Sequence, residues 1–328
     1  MSGGNGGGNG GSSNSQGGGS SGNGDSGQTT TLDWTQPGLL QSIAFSTVSD
    51  PSTLQDANSP QSLALRWLEG GGGATVVTGP DVPTVEWRIR QRYALAVLYH
   101  STGGDRWKQR YGFLNATADH ECEWGSTMLN NGWTALECNG RGEVTLINLW
   151  QNRLAGTLPG RELAAALPAL TALDFLTNQL TGTLPVALTA LPSLNYLNLG
   201  YNRLRGTVPS ELGNLDQITY LMVDWNDLTG TIPPELGGLV QLSGWLSLEG
   251  NQLVGTVPPS FANLTQATWI YLNNNDLTGS AEFLCDALQP VEGPGHTHDD
   301  STSPLLELWV DVEEVNCTCC NCCPFYDP

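Results

Sequence analysis

Lysine is almost missing from this chain. Its single example, Lys108, is followed by Gln109, so no Gly-Lys-Ser/Thr phosphate loop can be built. Charge of any kind is scarce: Asp, Glu, Lys and Arg make up 13% of 328 residues, about half of the ~25% usual in soluble domains. What charge there is has one sign. Twelve Lys and Arg stand against 32 Asp and Glu, a formal net charge of −20. Unspecific binding to nucleic acid or to an anionic membrane surface is thereby excluded. Basic residues stop at Arg205, and residues 206–328 hold 17 acids with no Lys or Arg, so the molecule is electrically polar along its length. Long apolar runs are also missing. The longest are fragments such as residues 39–45, against the ~18–20 residues a membrane span needs. No cationic-then-apolar leader opens the chain, so no signal or transmembrane segment is visible in it.

Catalytic signatures are equally sparse. The four histidines are His100, His120, His296 and His298, and no His-Glu-x-x-His, kinase or nucleophile pattern occurs in a plausible setting. Matches such as Gly6-x-Gly8-x-x-Gly11 fall in residues 1–31, of which 13 are glycine. That stretch lacks the apolar content to offset its ordering entropy and reads as disordered. Residues 32–83 read as a linker with one short helix, Ser59 capping it and Pro60 at its first position. A second helix is expected from about Val85 to His100, capped by Thr84, with Trp87, Tyr93, Ala94, Val97 and Leu98 on one face and Arg88 and Arg92 elsewhere.

From about residue 144 one phrase recurs: Leu-x-Leu-x-x-Asn-x-Leu-x-Gly-Thr-aliphatic-Pro. Its asparagines are Asn152, Asn178, Asn202, Asn226, Asn251 and Asn275, spaced by 26, 24, 24, 25 and 24 residues. The period lies within the ~20–29 residues of leucine-rich repeats. In Leu197-x-Leu199 the two leucines alternate with polar positions and so point inward from a short strand. Asn202 stands at the turn, where a buried amide can bond the neighbouring coil's backbone. Gly206 permits the bend, Pro209 begins the outer side, and Leu212 and Leu215 fill the back. One coil cannot close a core; six stacked coils can.

The phrases from Leu199 to Pro209 and from Asp224 to Pro233 resemble plant-type leucine-rich repeats. Tyr99 to Trp107, then Cys122-Glu-Trp124 and Cys138, resemble that group's N-terminal cap. The finer likeness is to the algal (diatom-type) proteins of this kind, through the stretch from Pro60 to Leu68, the Arg92–Tyr99 helix and a cysteine-rich C-terminal tail. The resemblance implies an α/β solenoid used for binding. It is a horseshoe with parallel strands on its concave face, a helical N-terminal cap over 84–143, six repeats over 144–283, and an acidic, Cys-containing C-terminal cap and tail over 284–328. It also implies a disulfide between Cys122 and Cys138, secretion, and any membrane anchor lying outside this chain. Cys285 is expected to pair with one cysteine of the tail (317, 319, 320, 322 or 323), in an unassigned pattern. Soft-metal binding by that tail stays open beside it, as does a weaker metal candidate at His296 and His298. No cofactor is expected.

Residues between the inward leucines face the concave surface. The position before the first leucine gives Leu146, Ala172, Tyr196, Tyr220, Trp245 and Trp269, an aromatic row at about 4.8 Å per coil. The next exposed position gives Asn148, Asp174, Asn198, Met222, Ser247 and Tyr271, and the third gives Trp150, Leu176, Gly200, Asp224, Glu249 and Asn273. Residues 305–313 alternate and read as a further strand adding Glu307, Trp309 and Asp311. The expected ligand surface is therefore Tyr196, Tyr220, Trp245, Trp269 and Tyr271 with Trp225, Asp174, Asp224 and Glu249. Aromatic residues favour protein interfaces, and acids beside them select Lys or Arg on the partner. The competing explanation is that aromatics simply suit strands. A second ladder, Thr157, Thr183, Thr207, Thr231 and Thr256, could match an ordered surface such as ice, or merely reflect strand propensity. The reading favoured is a non-enzymatic, receptor-like module for a peptide, protein or glycan; a surface-adhesive role and an enzyme are the alternatives.

Overall fold

The computed structural model describes residues 48–72, 82–115, 118, 120–125, 134–287, 307–310 and 315–316. Eight strands form one sheet along the inner wall of a solenoid. They are β1 (Leu136–Cys138), β2 (Val144–Asn148), β3 (Ala172–Asp174), β4 (Tyr196–Asn198), β5 (Tyr220–Met222), β6 (Trp245–Ser247), β7 (Trp269–Tyr271) and β8 (Glu307–Trp309). β1 runs antiparallel to β2, and every later neighbour is parallel. Register follows the leucines. Ile147, Leu173, Leu197, Leu221, Leu246, Ile270 and Leu308 lie side by side, each buried to within 1%. Two residues on, Leu149, Phe175, Leu199, Val223, Leu248 and Leu272 form a second buried row. Each such side chain contributes roughly 1.5–3 kcal/mol on burial. A slip of one residue would turn both rows outward, so the pattern fixes the register.

The ladder asparagines do what a buried amide at this turn must. Asn226 donates from Nδ2 to the carbonyls of Leu199 in the preceding coil and of Val223 and Asp224 in its own, while its Oδ1 accepts from Leu204 N–H at 2.9 Å. Asn202, Asn251 and Asn275 repeat the scheme. Backbone groups that the turn would orphan are thereby satisfied. The outer wall is built of short 3₁₀ turns, such as Ser210–Asn214 and Pro234–Gly238, each entered from a proline. The first coil, longest at 26 residues between asparagines, uses its extra length for an α-helix, Gly160–Ala166.

Glycine and threonine of the Gly-Thr pair act across coils. Gly182, Gly206, Gly230, Gly255 and Gly279 have positive φ, and a Cβ on any of them would lie 2.9–3.2 Å from the Cγ2 of the preceding coil's threonine. The threonine methyl thus fills the space each glycine leaves. This packing accounts for the threonine ladder without calling on a ligand.

The N-terminal cap departs from the helical-wheel expectation. The long helix spans Val82–Ser101, so Thr84 lies inside its first turn and does not cap it. Pro83 is tolerated there because its missing N–H is one the helix start leaves free anyway. Residues 91–99 are buried on every side, including Arg92 at 0% exposure. Its Nε lies 3.4 Å from Glu121 Oε1, its Nη2 donates to Ala118 O at 3.1 Å, and its guanidinium sits 5.5 Å from the Trp124 ring centre. A wheel drawn from the local sequence cannot show a partner so far along the chain. Beside this pair His120 is held neutral: burial, then Arg88 and Arg92, push it down to about 4. Cys122 and Cys138 form a disulfide that ties this loop to β1. The helix expected at Pro60 spans Pro60–Trp67, with Ser59 accepting from Ser62 N–H. It packs on the long helix, and Ser49 and Gln61 both donate to Glu162 of the first coil. No helix among the described residues is long and apolar enough to cross a membrane.

Candidate functional site

Because the sheet is in register, the three outward positions of each strand fall into three rows on the concave wall. From coil to coil these rows carry no Lys, Arg or His. Tyr196, Tyr220, Trp245 and Trp269 form one continuous line, with ring centres 5.5, 6.4 and 5.3 Å apart. Tyr271 touches it at 6.4 Å from Trp245 and continues to Trp309 at 5.9 Å. Trp309 sits opposite Tyr271 and Glu307 opposite Trp269; Asp311 lies outside the described residues. The edge-on ring angles, up to 90°, interlock the row. Trp245 nonetheless remains 40% exposed.

The acids divide into two places. Asp224 and Glu249 sit on the third row of adjacent coils. Burial pushes the Asp224 carboxyl up to about 6, and the negative charge of Glu249 adds to the shift, against hydrogen bonds from its own backbone and Ser247. Glu249 Oε1 accepts from the side-chain amides of Asn273 at 2.8 Å and Asn274 at 3.1 Å. Asp174 stands apart, on the second row of coil two. Its carboxyl is raised by burial and lowered less by bonds from Leu176 N–H and Tyr196. Tyr196 in turn is pushed up to about 12 by burial and then by Asp174. The expected acids therefore lie in two places, with Asp174 joined to the aromatic line through Tyr196.

Trp225 belongs to a row that periodicity did not single out. The residue before each ladder asparagine takes the left-handed conformation: Gln151, Thr177, Tyr201, Trp225, Gly250 and Asn274, with φ between 49° and 63°. Tyr201 and Trp225 stack there, 5.6 Å apart and 25° from parallel, and both are exposed, at 49% and 41%. Gly250 makes room: a Cβ would fall 2.6 Å from the Trp225 ring. Tyr201 was missed because it lies in the turn, outside the alternating strand pattern. Also missed as a site was a cleft of about 460 Å³ at coils one and two, lined by Leu146, Trp150, Ala172, Asp174, Leu176 and Tyr196 among others.

Among the described residues, the one His/Cys/acid group close enough to share an ion is His120, Cys122 and Cys138, and both cysteines are in the disulfide. Cys285 starts no assignment, since its side chain, the tail cysteines, His296 and His298 lie outside the described residues.

Leucine-rich-repeat family models match residues 168–228 and 245–264. With the stacked parallel strands, these matches decide the architecture. The fold is a leucine-rich-repeat solenoid. The chain is similar to the crystal structure of a plant ice-binding protein, at 28% identity and TM-score 0.47, covering 58% of each chain. It is also similar to the Arabidopsis receptor kinase HAESA, solved with the peptide hormone IDA and the co-receptor SERK1. That match has 27% identity and TM-score 0.47, over 56% of this chain and 28% of that one. A third similarity is to the leucine-rich-repeat ectodomain of the receptor kinase SOBIR1 from Arabidopsis thaliana, at 22% identity and TM-score 0.46, over 57% and 94%. This chain thus spans less than two thirds of the ice-binding protein and of HAESA. A search of curated proteins returned no match. In the leucine-rich repeats of this chain, leucines and asparagines make the scaffold; of the second outward row Asn148, Asn198, Met222 and Ser247 are buried, while Tyr201, Trp225 and Trp245 stay exposed.

Proposed function

We propose that this chain is a non-enzymatic recognition module whose concave leucine-rich-repeat face binds an extended peptide or protein segment bearing Lys or Arg. The observation that carries this reading is the combination on one wall of coils three to six. Exposed aromatics (Tyr201, Trp225, Trp245) share this wall with the carboxylates of Asp224 and Glu249, and the outward rows hold no cation. Aromatics supply rigid contact area, and acids in a partly desolvated wall favour a cationic partner. A disulfide between Cys122 and Cys138 suits an oxidising compartment, so the proposal places the protein in the secretory pathway or outside the cell, in a receptor-like role. The algal-type kinship is part of the same proposal and rests on the cap stretch from Pro60 to Leu68 and the cysteine-rich tail.

The test is selection of a random peptide display library on the full chain. Enrichment of peptides containing Lys or Arg with an aromatic neighbour is expected, and their binding should fall at least tenfold in Trp245→Ala/Trp269→Ala while circular dichroism stays unchanged. Selected peptides that bind the double variant normally would sink the assignment. Selection of glycans in place of peptides, on a parallel glycan array, would replace the cationic peptide with a sugar ligand.

A further inference from the structure

The aromatic row ends at Tyr196, yet the concave wall continues for two more coils. There its character changes. Leu146, Ala172 and Leu176 replace the rings, Trp150 stands at the rim, and between them lies the cleft of about 460 Å³. That volume falls in the ~300–1,000 Å³ range of pockets that enclose a small ligand or one side chain. One carboxylate, Asp174, is set into this apolar lining. It accepts from Leu176 N–H at 3.1 Å and from the Tyr196 hydroxyl. Those two bonds orient it but leave its charge uncompensated: it takes part in none of the ion pairs among the described residues, and neither coil brings Lys, Arg or His to the three rows.

A carboxylate among apolar side chains is costly unless paired. Elsewhere in this protein that pairing is internal: Glu121, fully buried, has Arg88 and Arg92. At Asp174 the carboxylate faces a cleft walled mainly by leucine, alanine and indole, with the neutral amides of Asn148 and Asn195 also in its lining. We infer that this cleft is a subsite for an organic cation, an ammonium or guanidinium carried on an apolar stem, with Asp174 as its counter-ion. The stem would lie along Leu146 and Leu176, and Trp150 would offer an indole to the charged end. Burial raises the proton affinity of the Asp174 carboxyl, as expected of an acid whose cationic partner is not part of its own chain. The inference rests on the concave-face reading and narrows its chemistry at coils one and two.

The experiment titrates the full chain with four probes, read by NMR of the Trp150 indole N–H and the Leu146 and Leu176 methyl groups. Nα-acetyl-lysine methylamide and Nα-acetyl-arginine methylamide represent a peptide side chain. Phenethylamine represents a free small amine, and Nα-acetyl-norleucine methylamide is the neutral control. At least one cationic probe should shift those signals at least fivefold more tightly than norleucine. Its affinity should fall at least fivefold in Asp174→Asn and remain unchanged in Trp245→Ala. The preferred cationic probe tells a peptide source from a free amine. Equal binding of cationic and neutral probes, unchanged binding to Asp174→Asn, or no shift by any probe overturns the subsite. If library peptides still lose binding in the Trp245→Ala/Trp269→Ala variant, only the subsite falls and the wider reading stands. If those peptides bind the variant normally while the probes behave as expected, the wider reading falls and the cation cleft stands alone.

Discussion

Asp224→Asn offers the sharpest check on the electrostatics of the concave face. Its carboxyl, ordinarily near 3.8, is held up to about 6 by burial and by Glu249. At about 1.4 kcal/mol per tenfold change in proton affinity, the ionised form carries a penalty of roughly 3 kcal/mol. Asp224 keeps some contact with solvent, which screens part of that, so ~1–2 kcal/mol is expected. The folded state holds this proton more tightly than the unfolded chain does. Between pH 3.8 and about 6, therefore, the folded state binds more protons and stability falls as pH rises; above that window the loss is complete. The variant removes the titration and keeps the shape. Urea denaturation should show it ~1–2 kcal/mol more stable than the parent at pH 7.5 and equal to it at pH 3.5. Comparing variant with parent at each pH also cancels His120, whose lowered value, about 4, gives the opposite slope. A variant no more stable at pH 7.5, or equally stabilised at both pH values, would refute the claim that this wall holds an uncompensated charge. In the same variant, affinity for a lysine-bearing library peptide should drop at neutral pH. In the parent that affinity should rise as pH passes 6.

Three further outcomes test the scaffold. Asn226→Ala strands the Leu204 N–H and the Leu199, Val223 and Asp224 carbonyls; at ~1–3 kcal/mol for each group left without a partner, less whatever water recovers, chemical denaturation should show a loss of ~3–5 kcal/mol. Arg92→Ala leaves buried Glu121 with Arg88, at 3.9 Å, as its remaining guanidinium beside neutral His120 and should cost ~3–5 kcal/mol, whereas Arg92→Met/Glu121→Leu should lose less than ~1 kcal/mol by the same measurement. Reduction of the Cys122–Cys138 disulfide, which closes a separation of 16 residues, should lower stability by ~3 kcal/mol, with hydrogen exchange rising in the cap before the central coils.

The repeats were readable because their signal is redundant. Leu-x-Leu, asparagine and glycine recur at one period, so strand, turn and bend positions check one another, and in-register stacking of Leu173 on Leu197 on Leu221 follows. The aromatic line from Tyr196 to Trp269 was legible for the same reason. What periodicity cannot reveal is a partner distant in sequence or a property of one coil. Arg92 looked like a surface residue of an amphipathic helix because Glu121 and Trp124 reach it only through the fold of the cap. The threonine ladder read mainly as strand propensity, and its packing role, each methyl over the next coil's glycine, lay between coils and so was not visible in one repeat. The cleft at Asp174 was hidden because Leu146, Ala172 and Leu176 look like weaker members of the aromatic rows rather than the walls of a separate space.

One residue separates recognition from mere strand preference. Rings at Tyr220 or Trp245 can be explained by strands favouring aromatics, but Trp225 is not in a strand. It sits in the turn with φ 49°, where a non-glycine residue bears a strain of roughly 1–2 kcal/mol. The neighbouring coil shows glycine accepted at the equivalent place, Gly250. The ring is 41% exposed and stacks on Tyr201, a contact of about 0.5–1.5 kcal/mol. Trp225→Gly relieves the strain, loses the stack and adds ~0.5–1 kcal/mol of chain entropy to the unfolded state, so its net effect on stability should be within ~1 kcal/mol of zero. If the tryptophan is there for contact, the same variant should bind library-selected peptides at least tenfold more weakly. A fall in stability beyond ~2 kcal/mol would make the ring structural, and unchanged peptide affinity would remove the turn row from the recognition surface.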